Sequence, residues 1–241
     1  MAGALHGRLL VKSCRPSLQA WLQERQYATP YHWLQRETDR LEYQLRTDIV
    51  LNFSGLERVP AAAQPPPWLL DIGCGDGRFL ADAAAKLDSV GVDVSSRALG
   101  YACRLVPSAR FISCGGEALS FPDHTFDVVT LLDVIEHIPD KDEARVIEEA
   151  HRVLRHGGHL VISPNTDRSA RELKHFRHYA VPRFLQLFDR LSDVRIVGLT
   201  PYVPTLRFWM AVPLVERWLR SRVRTCAPEQ AQTVIGVGVK R

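Results

Sequence analysis

The run Leu69-Leu70-Asp71-Ile72-Gly73-Cys74-Gly75-Asp76-Gly77 decides the fold. An apolar strand, Trp68–Ile72, runs without a break into a glycine-rich turn, and the turn opens a helix read at Gly77–Leu87. Glycine reaches backbone conformations closed to other residues and lets a ligand lie against the main chain. The start of a helix leaves N–H groups without intrahelical partners. A lone G-x-G is a weak signal, but here it stands at a strand–turn–helix junction and a second signal follows. Asp93 ends the next strand, Ser89–Asp93, and an acid at that place in a βαβ unit accepts hydrogen bonds from a ribose diol. Together the two point to a cofactor that contains a nucleoside.

Working outward, short apolar runs alternate with longer amphipathic ones. Ser96–Leu105 reads as a helix behind Ser95, a good N-cap, and Arg110–Ser113 as a short strand. Phe126–Leu132 reads as a strand, Asp140–Leu154 as a helix closed by Gly157-Gly158, and His159–Ser163 as a strand. Pro182–Arg190 reads as a helix, and Val194–Leu199 and Thr233–Val239 as the last strands. Gly236 and Gly238 weaken that final strand or admit another backbone. This rhythm predicts a parallel sheet with helices on both faces. Residues 1–59 read as a helical N-terminal segment, a lid over the cofactor that includes Tyr31, His32 and Trp33, and 60–67 as a proline-rich linker. The remaining 68–241 form the main domain, with an insertion at about 200–230.

A dinucleotide fingerprint needs a third glycine where Arg78 stands. A pyrophosphate is also poorly matched to Asp71 and Asp76 beside the loop, whereas an ammonium and a sulfonium suit them. The pattern favours S-adenosylmethionine over a nicotinamide dinucleotide.

Four motifs then carry a resemblance. D-I-G-C-G-D-G (71–77), G-V-D-V-S (91–95), F-P-D-H-T-F-D-V-V (121–129) and V-L-R-H-G-G-H-L-V-I (153–162) stand in the order of class I S-adenosylmethionine-dependent methyltransferases, which the chain resembles from Trp68 to about Asn165. Asp133–Ile138 is similar to the small-molecule branch that includes the ubiquinone-pathway O-methyltransferases. The resemblance implies a Rossmann-like seven-stranded sheet whose last strand is antiparallel. It implies that Gly73, Cys74 and Gly75 pass under the methionine part of the cofactor. Asp71 would orient the loop or face the ammonium, Asp93 would hold the ribose, Val94 would lie against the adenine, and Glu117 and Ala118 near its edge. The family often has an Asp where this chain has Gly115. The adenine contact must then come from backbone, from Glu117, or be missing.

Methyl transfer is an in-line displacement that needs a positioned nucleophile, with a general base if the acceptor is a hydroxyl. Asp133, Glu136 and His137 follow the fourth strand, at the implied rim of the active site. His137, with Asp133, is the candidate catalytic residue; the competing reading makes His137 a helix-start residue with a structural hydrogen bond. Glu136 beside His137 invites a metal, but no second pair stands at ligand spacing, so no metal is expected. His175, Arg177, His178 and Tyr179, in K-H-F-R-H-Y, are candidates for binding an anionic or phenolic acceptor, against a solvated basic loop.

The chain has 241 residues, 46% of them hydrophobic and 24% charged, which excludes disorder as its main state. No run approaches the ~20 apolar residues of a membrane span. Five scattered cysteines read as free thiols of a reducing, cytoplasmic compartment. The N-terminal Arg8, Lys12 and Arg15 resemble a transit peptide only faintly. The net charge of +4 is uneven: Asp167–Thr225 carries twelve basic and five acidic residues. Within it, 206–224 interleaves Trp and apolar residues with Arg, which suits either a membrane surface or a helix on the sheet. The expected function is methylation, O-directed, of a small-molecule or lipid-linked acceptor. An RNA or protein methyltransferase and a non-catalytic cofactor-binding homologue are the alternatives. Nucleic acid is disfavoured, because Leu132-Asp133-Val134 stands where a base-amino methyltransferase carries an N-P-P-Y-like motif.

Overall fold

The computed structural model describes residues 18–34, 46–54, 66–84, 87–169, 172–199 and 225–241. The insertion and the Trp/Arg stretch at 200–224, most of the linker, and 1–17, 35–45 and 55–59 of the N-terminal segment lie outside the described residues. Strands β1 (Trp68–Ile72), β2 (Asp88–Asp93), β3 (Arg110–Ser113), β4 (Phe126–Leu132), β5 (Leu154–Ser163), β6 (Leu191–Leu199), β7 (Thr225–Cys226) and β8 (Thr233–Lys240) form one sheet in the order β3-β2-β1-β4-β5-β8-β6-β7. β1 to β5 are parallel, and β8 lies antiparallel between β5 and β6. The seven expected strands are therefore present with the last one antiparallel. The two-residue β7 adds a short edge to β6.

The strand period of two divides the core between two layers. Leu70, Ile72, Val129 and Ile162 face one side, against Val146, Ala150 and Val153 of α5 (Asp140–Val153) and against Phe184 and Phe188. Leu69, Val128 and Val161 face the other, against Phe79 and Leu80 of α3 (Arg78–Ala83), Leu99 of α4 (Ser96–Leu105) and Val50 of α2 (46–53), which follows α1 (Leu18–Gln26) in the chain. Both faces are apolar because both are covered, as parallel sheets require. Burying each such leucine contributes about 1.5–3 kcal/mol.

Three expectations are corrected. The helix after the glycine loop begins at Arg78, because Gly77 is a left-handed N-cap with φ 79°, and it is described to Ala83. Gly157-Gly158 does not close a helix. α5 ends at Val153, and both glycines lie inside β5, in an irregularity where Leu154 and His159 pair with Phe126 and Val128. The segment read as a helix over Pro182–Arg190 is a short α6 (Val181–Leu185) continued by a 3-10 turn, Gln186–Phe188. That segment explains Gly236 of β8, while Gly238 is pressed by Leu191 of β6. A side chain at Gly236 would lie 2.7 Å from Phe188 and 2.8 Å from Phe184, so the close approach comes from aromatic rings and not from backbone.

The strand order reverses between β1 and β4. In open α/β sheets ligands bind at such a switch point, at the carboxyl ends of the strands. Asp71, Asp93 and Asp133 all stand at or just beyond those ends.

Candidate active site

One cavity of about 690 Å³ opens there. Its floor is the glycine loop. Gly73 has φ 75°, and a Cβ on it would fall 2.4 Å from Val134. The Gly73 and Cys74 amides donate to Val92 O at 2.7 and 3.0 Å, tying the loop to β2. Asp93 accepts from the Gly75 amide at 2.9 Å and from the Ser95 amide at 2.8 Å, one on each carboxylate oxygen. Each oxygen keeps a second lone pair. Burial holds Asp93 above the usual carboxylate range. Asp71 accepts from the Thr130 hydroxyl at 2.6 Å, its register partner on β4, and burial pushes it up to about 7.

Of the residues expected at the cofactor, Asp71, Gly73, Cys74, Asp93, Val94 and Glu117 line the cavity. Gly75 lies behind it, holding Asp93. Ala118 is exposed, with its amide on Gly115 O at 3.3 Å. Asp76 is a correction. The sequence pattern sets it with Asp71 beside a cationic cofactor, yet its carboxylate turns away. Its carboxylate takes the His32 amide and Nδ1, both at 2.9 Å, and its carbonyl takes the Trp33 indole N–H at 3.0 Å. Asp76 therefore anchors the N-terminal segment. Gln26, Tyr27, Tyr31 and His32 of that segment line the cavity. The Tyr27 hydroxyl lies 2.5 Å from where a Gly75 side chain would begin.

The opposite wall comes from the 3-10 turn Ile135–His137 and from residues 172–176. These two segments are tied edge to edge. The Phe176 amide donates to Glu136 O at 2.8 Å, His137 Nδ1 meets Lys174 O at 3.3 Å, and Arg177 Nη1 donates to Ile135 O at 2.8 Å. A carbonyl can only accept, so Nδ1 of His137 carries the proton and Nε2 keeps its lone pair. Burial first, then His175 and Lys174, push His137 down to about 4. Burial likewise lowers His175, whose Nδ1 lies 2.8 Å from His178 Nε2. Asp133 sits in the left-handed region with φ 55° and is ion-paired to Arg46.

Among the acceptor candidates, His137, Asp133 and His175 line the cavity, and Arg177, His178 and Tyr179 do not. Arg177 pairs with Asp140, and Tyr179 is fully buried with its hydroxyl on Glu143 at 2.8 Å. Both turn to carboxylates of α5, Asp140 and Glu143, beyond a bend of the chain at Phe176 that breaks the alternation with His175. His178 touches the cavity only through His175.

Reasoning from sequence missed Tyr27, Arg46, Asn165, Lys174 and Phe176, all in the lining. No local pattern marks them, apart from Asn165 at the end of β5. It also missed a grouping. Glu136, His137 and His175 each offer a ligand atom within 4.8 Å of the others. Glu136 is fully buried. Its Oε1 takes the Asn165 amide and side chain at 3.1 and 2.8 Å, and its Oε2 has no partner among the described residues. Such a trio could hold a divalent cation. His175 arrives from beyond β5, out of reach of any spacing rule.

The acidic wall of Asp71, Asp93 and Glu117, with a carboxylate preset for a diol, fits a cationic adenosine derivative. Residues 70–162 match a family described as a methyltransferase domain. The chain is 31% identical over 185 residues to a 2-methyl-6-phytyl-1,4-hydroquinone methyltransferase of Synechocystis, covering 69% of this chain and 55% of that protein. It is 39% identical over 102 residues to a ubiquinone biosynthesis O-methyltransferase of Methylococcus capsulatus, covering 39% and 41%. The chain thus spans about half the length of the curated relatives it matches. Its fold is similar to that of a possible histamine N-methyltransferase from Thermotoga maritima, with TM-score 0.56 and 19% identity over 88% of this chain and 100% of that one. Strand order, glycine loop and relatives agree with one another: residues 70–162 are similar to a methyltransferase domain, in a fold shared with S-adenosylmethionine-dependent methyltransferases.

Proposed function

We propose that the protein transfers a methyl group from S-adenosylmethionine to a hydroxyl of a hydroquinone-type, lipid-linked small molecule. The observation that carries this reading is a single cavity that Asp93 and two deprotonated imidazoles, His137 and His175, face together. The names of the relatives above support the acceptor class. When bound, the cofactor supplies an electrophilic sulfonium methyl group. Asp93 holds the ribose diol, Asp71 faces the ammonium, and Val94 lies against the base. The Gly73 turn leaves the main chain bare beneath the methionine part. Residues 18–34, latched on Asp76, close the site as a lid that excludes water. On the acceptor side His137 Nε2 accepts the hydroxyl proton, and Asp133 and Asn165 orient the ring. The cytoplasmic face of a membrane is the setting this reading implies, with 206–224 as the contact for an acceptor that carries an isoprenoid-like tail.

The test is transfer of labelled methyl from S-adenosylmethionine to a short-chain hydroquinone or catechol, read in the organic extract. Label in the extract supports the reading. Cofactor binding without transfer to any phenol overturns it in favour of the non-catalytic alternative.

A second reading is favoured by one observation. An imidazole held near 4 is a poor match for a phenol whose hydroxyl titrates around 10. Glu136, His137 and His175 would instead hold a divalent cation, which lowers the pKa of a bound hydroxyl. Chelation that abolishes transfer, with recovery on adding Mg²⁺ or Mn²⁺, selects this reading. Unchanged transfer in chelator selects the first.

A further inference from the structure

We infer that His178 is a positioning residue. It donates to His175 and so makes His175 a hydrogen-bond donor beside His137, which accepts, and the two imidazoles together recognise an oxygen that bears one hydrogen. That last part rests on the function proposed above.

His175 Nδ1 and His178 Nε2 lie 2.8 Å apart. One of these nitrogens carries the shared proton and the other the lone pair. If His175 donates, His178 accepts at Nε2, and the His178 ring must then hold its own proton on Nδ1. That nitrogen is buried and meets no partner among the described residues. If His178 donates, its Nδ1 keeps only a lone pair. Folded proteins rarely leave a buried N–H without an acceptor, and they tolerate a bare acceptor somewhat better. The proton therefore lies on His178 Nε2, and His175 Nδ1 accepts it. A ring with a bare Nδ1 carries its hydrogen on Nε2, so His175 Nε2 is a donor.

His137 is the opposite case. Its Nδ1 donates to Lys174 O, which leaves Nε2 with a lone pair. The two rings meet edge to face, their centroids 4.7 Å apart, and both line the cavity. Neither Nε2 is bonded to protein among the described residues. One donor and one acceptor are thus offered side by side. A hydroxyl satisfies both, its oxygen accepting from His175 and its hydrogen going to His137. A methyl ether satisfies only the donor, so the pair holds the methylated product less well than the acceptor. The same assignment bears on the grouping of Glu136, His137 and His175. A cation needs a lone pair from each imidazole, and His175 has none to give while His178 donates to it.

The test reads the ring nitrogens of His175 by proton–nitrogen NMR, in the full chain labelled at histidine, with His175→Gln identifying the signals. In the wild type His175 should show a protonated Nε2 and a bare Nδ1, and His137 the reverse. His178→Gln, whose amide can still donate, should keep that pattern. His178→Glu, which when ionised only accepts, should draw the His175 proton to Nδ1. It should also raise KM for a short-chain hydroquinone roughly three- to tenfold, the range of one hydrogen bond, with S-adenosylhomocysteine bound within a few-fold of wild type. A merely structural His178 would leave the His175 proton where it is. If His178→Glu does not fold, the wild-type and His178→Gln spectra decide. A wild-type His175 with its proton on Nδ1 overturns the inference, and so does a move of that proton to Nδ1 when Mg²⁺ is added. The expected spectrum in a protein that methylates no phenol supports the ring assignment and overturns the function proposed above.

Discussion

The floor beneath the ends of β1 and β2 and the wall made by Ile135–His137 with residues 174–178 are held by different kinds of bond. The floor is main chain fastened to main chain and to one carboxylate: Gly73 and Cys74 on Val92, Gly75 and Ser95 on Asp93. All of its parts come from one βαβ unit, and its shape follows from φ angles only glycine adopts easily. The wall joins two segments from opposite sides of β5, with side chains doing much of the joining. A site of the first kind is set once its sheet forms. A site of the second kind exists only when distant loops dock, and its histidines take their protonation from that docking.

The largest effect expected tests the floor. Asp93→Ala removes the proposed ribose acceptor and also leaves the Gly75 and Ser95 amides without theirs. Affinity for S-adenosylhomocysteine should fall roughly a hundredfold or more by calorimetry. A loss of only a few-fold would mean that the loop shapes itself without its carboxylate.

His137→Ala strikes the wall. Methyl transfer to a hydroquinone should drop by about 10²–10³, while S-adenosylhomocysteine binds within a few-fold of wild type. Equal losses in both measurements would erase the division between the halves.

The pH dependence separates them again. Asp71 sits near 7 in the fold, well above its unfolded value, so the folded protein takes up a proton as pH falls through 7. Its contribution to stability is present in full below about 4 and is lost as pH rises through 7. A cationic ligand prefers the ionised form, so the trend in affinity runs the other way. Binding of S-adenosylmethionine should tighten between pH 6 and pH 8, by up to about tenfold, then level off. In Asp71→Asn this rise should vanish. A flat profile in the wild type would remove Asp71 from contact with the ammonium.

The smallest effect concerns the proposed lid. His32→Ala removes one side chain from Asp76 but leaves the amide and Trp33 contacts in place. It should speed release of S-adenosylhomocysteine by about three- to tenfold in stopped-flow, with little change in melting temperature. No change in release would make residues 27–34 a fixed wall.

Much of this molecule is legible in one dimension because its parts are local. Trp68–Ile72, Ser96–Leu105, Arg110–Ser113 and Phe126–Leu132 form over the residues expected, since each is a run of one period bounded by a cap or a turn. The glycine loop and Asp93 are equally local, and they carried the cofactor. Where reading failed, partners from afar had decided. Gly157-Gly158 has the chemistry of a helix end, but the pairing of β4 with β5 drew it into a strand. Asp76 has the right charge for a cofactor loop, yet it faces His32 because the N-terminal segment docks there. Arg177 and Tyr179 share the parity of His175 in that run, but the chain bends at Phe176 and the carboxylates of Asp140 and Glu143 draw both side chains away from the cavity.

The amino-acid order by itself thus determined the α/β rhythm, the switch point and the nucleoside end of the site, because those rest on propensity, period and turn chemistry within a few residues. Only the tertiary structure decided which acids face the cavity, which histidines meet, and where Glu136 finds company. Those outcomes depend on the docking of segments far apart in the chain, and no local preference encodes which way a side chain turns once they meet.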